Sequence, residues 1–220
     1  VTLVDEGVTR VEGKKVCSAS GEEHEVDVLL VATGYDIARF LSPVNVIGRG
    51  GISVREAWDD DDSQAYLGTV VPQFPNFFML YGPNTALGHG GSFIFTVECQ
   101  IDYVLSVLRD MGRFGLTEVE CRKDVYEAYN ETIQSMHRNM IWSHPGMSTY
   151  FRNARGRVVT NSPWRLIDYW NMTREADLAD YVTHPAIDPS VHEHAEVPAG
   201  FSYDHSAPHP YQFQPGSTSA

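Results

Sequence analysis

The sequence predicts an α/β fold on three observations. Two short apolar runs of strand length each close on glycine, and a long helical pattern follows directly on the second. The first run, Val28-Leu-Leu-Val31, ends in Ala-Thr-Gly-Tyr35; the second, Phe77-Phe-Met-Leu-Tyr81, opens a segment bearing Gly82, Gly88, Gly90 and Gly91. A buried strand that ends on small residues brings bare backbone to the edge of a sheet, where another group can approach closely. The helical pattern is carried by Ile94, Val97, Ile101, Val104, Leu105 and Leu108, with Phe93 at its start and Gly112 near its expected end. It reads as a core helix behind a glycine-rich loop.

Residues 1–31 alternate like a small antiparallel sheet. Val8 to Val11, a turn at Gly13-Lys14, Val16 to Ser18 and a turn at Gly21 lead to a buried strand from Val26. From Tyr35 to Gln73 the chain is rich in loop residues. Asp59-Asp-Asp-Asp62 in this stretch lacks the glycine and ligand spacing of a cation loop, so a solvated loop is expected there. A second helical pattern runs through Val125, Tyr129, Ile133, Met136 and Met140, with Asp124 placed to cap it. Its Tyr and Met could line a pocket, although a stripe at this spacing ordinarily packs a core. Beyond it the chain turns aromatic and arginine-bearing: Trp142, Tyr150, Phe151, Arg152, Trp164, Tyr169 and Trp170. Ser162-Pro163 suggests a helix start for Trp164 to Trp170, and Thr173 a cap for Arg174 to Val182.

Three blocks follow: 1–35, 36–183 and 184–220. The last is rich in Pro, His, Ser and Ala without apolar periodicity, and reads as a flexible or wrapping extension. His192 and His194 flank Glu193 at a spacing that could hold a metal, but no second ligand cluster accompanies them, and no metal site is assigned.

At 42% apolar residues, 220 residues can bury a substantial core. With 16 Lys plus Arg against 29 Asp plus Glu, the formal charge of −13 repels phosphate backbones and anionic lipid, so neither nucleic acid nor a membrane surface is an expected partner. Three cysteines, Cys17, Cys99 and Cys121, show no metal-ligand spacing, and the expected compartment is the reducing cytoplasm. No apolar stretch reaches the length of a membrane helix.

A glycine-rich turn into a helix N-terminus can lay backbone amides against a flat ring. The unpaired N–H groups of the first turn suit the negative charge that a reduced flavin carries around N1 and the C2 carbonyl. In combination, Val28 to Tyr35 and Tyr81-Gly-Pro-Asn-Thr-Ala-Leu-Gly-His-Gly-Gly-Ser92 resemble the flavin-handling half of a class B flavoprotein monooxygenase. Leu67-Gly68 ahead of Val70 to Phe78, and Gly48-Arg-Gly-Gly51 with Trp58 behind it, are similar to segments of the Baeyer–Villiger branch. Tyr150-Phe-Arg-Asn153, Gly156-Arg-Val158 and Ser162-Pro-Trp164 resemble the carboxyl-terminal segment of enzymes that oxidise aryl and aliphatic ketones, with Tyr150 where relatives usually carry Trp. The similarity covers residues 1 to about 183.

The resemblance implies the carboxyl-terminal portion of a flavoprotein with two Rossmann-like dinucleotide-binding domains. Block 1–35 would close the NADPH domain, and 36–183 would be FAD-domain portion with substrate-lining helices. FAD and NADPH would be the cofactors, with O2 and a ketone as substrates and an ester or lactone as product. Thr33, Gly34, Tyr35, Gly82, Pro83, Asn84, Gly91, Ser92 and Phe93 would meet the cofactors, His89 would lie in the loop beside the flavin, and Trp142 and Tyr150 would line the substrate. No catalytic side chain is assigned: Ser92 is outside any G-x-S-x-G context, and His89 has no acid partner. The family's two G-x-G-x-x-G turns and its F-x-G-x-x-x-H-x-x-x-W identifier are not found in these residues. The chain also opens inside an apparent strand, Val1 to Val4, so it is expected to be part of a longer protein, to rely on that protein's amino-terminal half and to be inactive alone. Two other readings remain: a heteroatom oxygenase of the same class acting on sulfides or amines, and a non-catalytic module that binds no flavin.

Overall fold

The computed structural model describes residues 2–88, 90–147 and 149–185. The expectations for His89, for His192 and His194, and for the tail from residue 186 onward lie outside the described residues. The chain divides into two compact units, Val1–Asp36 and Ile37–Ala220.

The first unit is a three-stranded antiparallel sheet: β1 (Val8–Glu12), β2 (Lys15–Ser18) and β3 (Glu23–Glu25), in that order. Gly13 takes the left-handed conformation (φ 60°) that a tight hairpin needs, which puts Val11 opposite Val16. Val16 and Cys17 bury their side chains, and Lys15 pairs with Glu23 at 2.6 Å across the β2–β3 ladder. The expected buried strand at 26–31 is absent. Val28, Leu30 and Val31 are 74%, 85% and 76% exposed, without strand pairing. An apolar run becomes a central strand only when neighbours pair with both its edges and layers cover its faces, and among the described residues none does.

The second unit is helical with a small sheet. A capping box, in which Ser53 and Glu56 exchange hydrogen bonds, starts the short α1 (Val54–Ala57). The long α2 (Phe93–Phe114) follows, then β4 (Leu116–Cys121), α3 (Lys123–His137), α4 (Leu166–Thr173) and β5 (Tyr181–Pro185), which pairs antiparallel with β4. One core gathers Leu67, Val70, Tyr103, Val107, Val119, Cys121 and Tyr181 between α2 and the β4–β5 ribbon. A second gathers Val54, Trp58, Ala65, Val71, Phe74 and Met79 around α1. Among the described residues no helix is long and apolar enough to cross a membrane.

Several local expectations fail for identifiable reasons. Phe77 to Tyr81 forms no strand: the Met79 N–H donates to the Thr69 carbonyl at 2.8 Å, Tyr81 is left-handed at φ 54°, and Leu80 is half exposed. Gly115, left-handed at φ 62°, and not Gly112, ends α2. The apolar stripe of α2 faces outward: Ile94, Ile101, Leu105 and Leu108 are 53%, 40%, 42% and 47% exposed, while the buried face carries Thr96, Cys99, Gln100, Tyr103, Ser106 and Val107. Asp124 sits inside the first turn of α3 and accepts from the Arg122 guanidinium, with Arg122 at the cap position. Met140 lies beyond the end of α3. Ser162 accepts from the Trp164 N–H, yet the helix begins only at Leu166. Thr173 ends α4, its hydroxyl donating back to the Tyr169 carbonyl, and the following residues turn into β5, where the Tyr181 hydroxyl meets that of Tyr103 at 2.7 Å. That buried contact outweighs the local helical pattern.

Candidate functional site around the glycine loop

The stem of the glycine loop is fixed by backbone packing. A side chain at Gly82 would collide with the Gly68 carbonyl oxygen, and one at Gly68 with the Thr85 methyl group. Both glycines are therefore explained by chain crossing chain. The fully buried Gln100 staples the crossing: its Oε1 accepts from the Tyr81 N–H at 2.6 Å, and its Nε2 donates to the carbonyls of Leu67 and Gly68 at 3.3 Å each. The Tyr169 hydroxyl donates to the same Leu67 carbonyl at 2.7 Å.

The carboxyl-terminal segment forms the loop's floor. The N–H groups of Asn84 and Ala86 donate to the carbonyls of Val159 and Thr160 at 2.9 and 3.0 Å, and the Ser162 N–H returns to Ala86 at 2.7 Å. Asn84 is left-handed (φ 57°) and buried, and its amide donates to the carbonyls of Val158 and Asn161 at 3.0 and 3.1 Å. Beside it His137, only 2% exposed, accepts from the Trp142 indole N–H at 3.0 Å through Nδ1. An indole N–H only donates, so Nδ1 carries no proton and the neutral ring holds its own at Nε2. Burial pulls the His137 pKa down from 6.5 to about 4, against a hydrogen bond to the Asn161 backbone that favours the charged form.

Past this buried stem the loop opens. Gly88, Gly90, Gly91, Ser92 and Phe93 are exposed, and Ser92 makes no side-chain cap to α2. The first turn of that helix therefore presents backbone N–H groups that no helical carbonyl accepts. Gly91 adopts φ 138°, and a Cβ there would lie 2.8 Å from a Leu166 methyl group; at Gly90 a Cβ would meet nothing within 4 Å.

The predicted cofactor residues thus separate. Gly91, Ser92 and Phe93 lie on the exposed rim, whereas Gly82, Pro83 and Asn84 are buried in the stem. Thr33, Gly34 and Tyr35 are exposed in the first unit. Of the two predicted substrate residues, Trp142 is 5% exposed beneath the loop, and Tyr150 is 67% exposed with its ring 4.4 Å from that of Phe151.

The acidic run is a clamp and not a free loop. Asp62 pairs with Arg157 at 3.2 Å and accepts from Asn153 at 2.9 Å, Asp61 accepts from the Ala154 N–H, Asp59 pairs with Arg155, and Asp60 with Arg39. It holds the turn at 153–157 that feeds the loop's floor. No group of His, Cys, Asp or Glu suited to a metal occurs among the described residues. Gln100, His137 and Asn161 escaped the sequence reading. The available signals were a glutamine on a helix's buried face and a histidine one turn past Ile133.

No protein-family model matches the chain. It is 68% identical over 188 residues to an uncharacterized monooxygenase of Sinorhizobium fredii, covering 86% of this chain and 28% of that protein. It is 35% identical over 181 residues to a Baeyer-Villiger monooxygenase of Pseudomonas aeruginosa, covering 82% and 34%, and 32% identical over 165 residues to an FAD-binding monooxygenase of Aspergillus niger, covering 73% and 27%. In structure it matches cyclohexanone monooxygenase from Rhodococcus, solved bound to NADP+, with a TM-score of 0.67 at 24% identity, over 83% of this chain and 35% of that one. The chain therefore spans about a third of the length of the relatives it matches. In sequence and in fold, it is homologous to one part of the flavin monooxygenases that include the Baeyer–Villiger enzymes.

Proposed function

We propose that the chain is the flavin-cradling and substrate-facing third of an FAD- and NADPH-dependent monooxygenase that converts ketones to esters or lactones. One observation carries the reading: a rigidly stapled stem delivers an exposed turn, bare of side chains at Gly88, Gly90 and Gly91, to the uncapped N-terminus of a 22-residue helix. That arrangement suits a flat ring whose near end gathers negative charge. Bound FAD, with NADPH and O2, would supply the oxygen-transfer chemistry.

The chain's own residues position and insulate. Backbone N–H groups of Ser92 and Phe93 would face the pyrimidine end of the ring, and the Gly90 and Gly91 backbone would admit it closely. Thr33 to Tyr35 would form the junction with the nicotinamide domain, block 1–35 closing that domain and 36–183 belonging to the FAD domain. Tyr150, exposed beside Phe151, would form a substrate wall that orients the ketone and excludes water. Trp142 would act from behind the loop. The pyrophosphate-binding turns would come from the rest of the protein, and the cytoplasm is the proposed compartment.

The test is a transplant in which residues 1–185 replace the corresponding segment of the Sinorhizobium fredii relative. The expected product binds FAD and oxidises NADPH in response to a phenyl ketone more than to an aryl sulfide. A folded transplant without flavin would refute the reading, and a preference for the sulfide would redirect it to heteroatom oxygenation.

A further inference from the structure

We propose that His137 and Trp142 form a positioning lock that holds the exposed glycines of the loop at a fixed height. It rests on the flavin-facing reading of that loop only for its consequence, not for its geometry. The lock is built from three contacts. The Trp142 indole N–H donates to His137 Nδ1 at 3.0 Å, which fixes the rotation of the indole. The far edge of that indole lies directly under Gly88, where an added Cβ would come within 2.5 Å of Trp142 Cζ3 and 2.8 Å of Asn161 Nδ2. The Arg152 guanidinium grips the Trp142 carbonyl oxygen from the other side at 2.7 and 3.1 Å.

These contacts tie the end of α3, the helical turn at Ile141–Ser143 and the arm leading from Tyr150 to Arg152 to one point on the loop. His137 Nε2, which carries the ring proton, also packs 3.2 Å from the amide nitrogen of Asn84 at the loop's buried end, a contact between two donors and not a hydrogen bond. One imidazole thus touches the stem while its indole partner supports the rim. A histidine serving only as core filler would need neither a defined tautomer nor contact with both ends of one loop. The same chain of contacts links Tyr150, the exposed aromatic, to the glycines, so displacement of one arm is felt at the other.

Trp142→Phe keeps an aromatic ring under the loop and deletes the N–H, and His137→Gln offers an amide that can accept the same bond. Hydrogen exchange of the full 220-residue chain reads the effect without any cofactor. Trp142→Phe is expected to speed exchange of the Ala86 and Ser162 amides, which bond between the loop and its floor, roughly tenfold, with Val107 and Val119 in the core unchanged, because a buried acceptor is left unpaired. His137→Gln is expected to retain most of the protection. As a second check, Gly88→Ala is expected to cost stability in the native background and far less beside Trp142→Phe, a non-additive pair. Unchanged exchange at Ala86 and Ser162, or a uniform rise including Val107 and Val119, would overturn the lock. In the transplant, Trp142→Phe is expected to weaken FAD retention. Faster exchange at Ala86 and Ser162 with undiminished retention would keep the lock and refute the flavin-facing reading of the turn.

Discussion

His137 shows how much one buried side chain decides. Its folded pKa of about 4 lies below the ordinary 6.5, so the unfolded chain binds the extra proton first as pH falls. The stability it protects is complete above about pH 6.5 and is lost progressively toward pH 4, by up to about 3 kcal/mol. Urea unfolding at pH 7 and pH 5 should therefore show a larger loss in the native chain than in His137→Gln; equal losses would mean that the histidine is accessible to protons. The sequence offered little warning. A lone histidine at a helix end ordinarily faces solvent, and only the fold reveals that Trp142 closes over it. The stem glycines were legible as glycines that matter, but the chain neighbours that crowd them were not, because sequence shows that a side chain is excluded and not what excludes it. Gly82 answers to Gly68 across the chain, and Gly91→Val would strain its own backbone before touching any ligand.

At the level of elements, local periodicity located α2 and α3 well because both are long and amphipathic, whereas faces and ends depended on partners that sequence does not show. The apolar stripe of α2 was read as core and lies exposed, with Gln100 and Ser106 on the buried side. Leu105→Lys is therefore expected to leave the isolated chain's stability within about 0.5 kcal/mol. In the transplant, where the stripe would be covered, the same change is expected to cost about 2 kcal/mol. Equal small effects in both would show that nothing covers the stripe. The acidic run illustrates the converse: three of four aspartates that looked solvated, Asp59, Asp61 and Asp62, hold a turn some ninety residues away in sequence. Asp62→Asn, which strips a largely buried Arg157 of its counter-charge, is expected to destabilise the chain by about 2 kcal/mol. Asp59→Asn, at an exposed pair, is expected to change melting very little, and comparable losses at the two sites would argue against a clamp centred on Asp62.

For the whole molecule, the mixed helix-and-strand class was readable, but the strands at 26–31 and 77–81 were not realised. Both are apolar enough for a sheet interior, and both lack flanking strands among the described residues, so composition alone misled. An exposed α2 stripe, the exposed Val28 to Val31 and the exposed glycine rim fit a chain homologous to about a third of its relatives. The isolated chain, incubated with FAD and then freed of unbound flavin, is expected to be colourless and not to oxidise NADPH, and a preparation that stays yellow and oxidises NADPH would contradict this. The most direct test concerns Gly90, the rim glycine where a side chain would meet nothing of the chain itself. Gly90→Val should leave the melting temperature of the isolated chain unchanged and, in the transplant, raise the FAD dissociation constant at least about tenfold, because the new side chain would stand where the ring must approach. A Gly90→Val protein that binds FAD as tightly as its parent would show that the turn does not face the flavin.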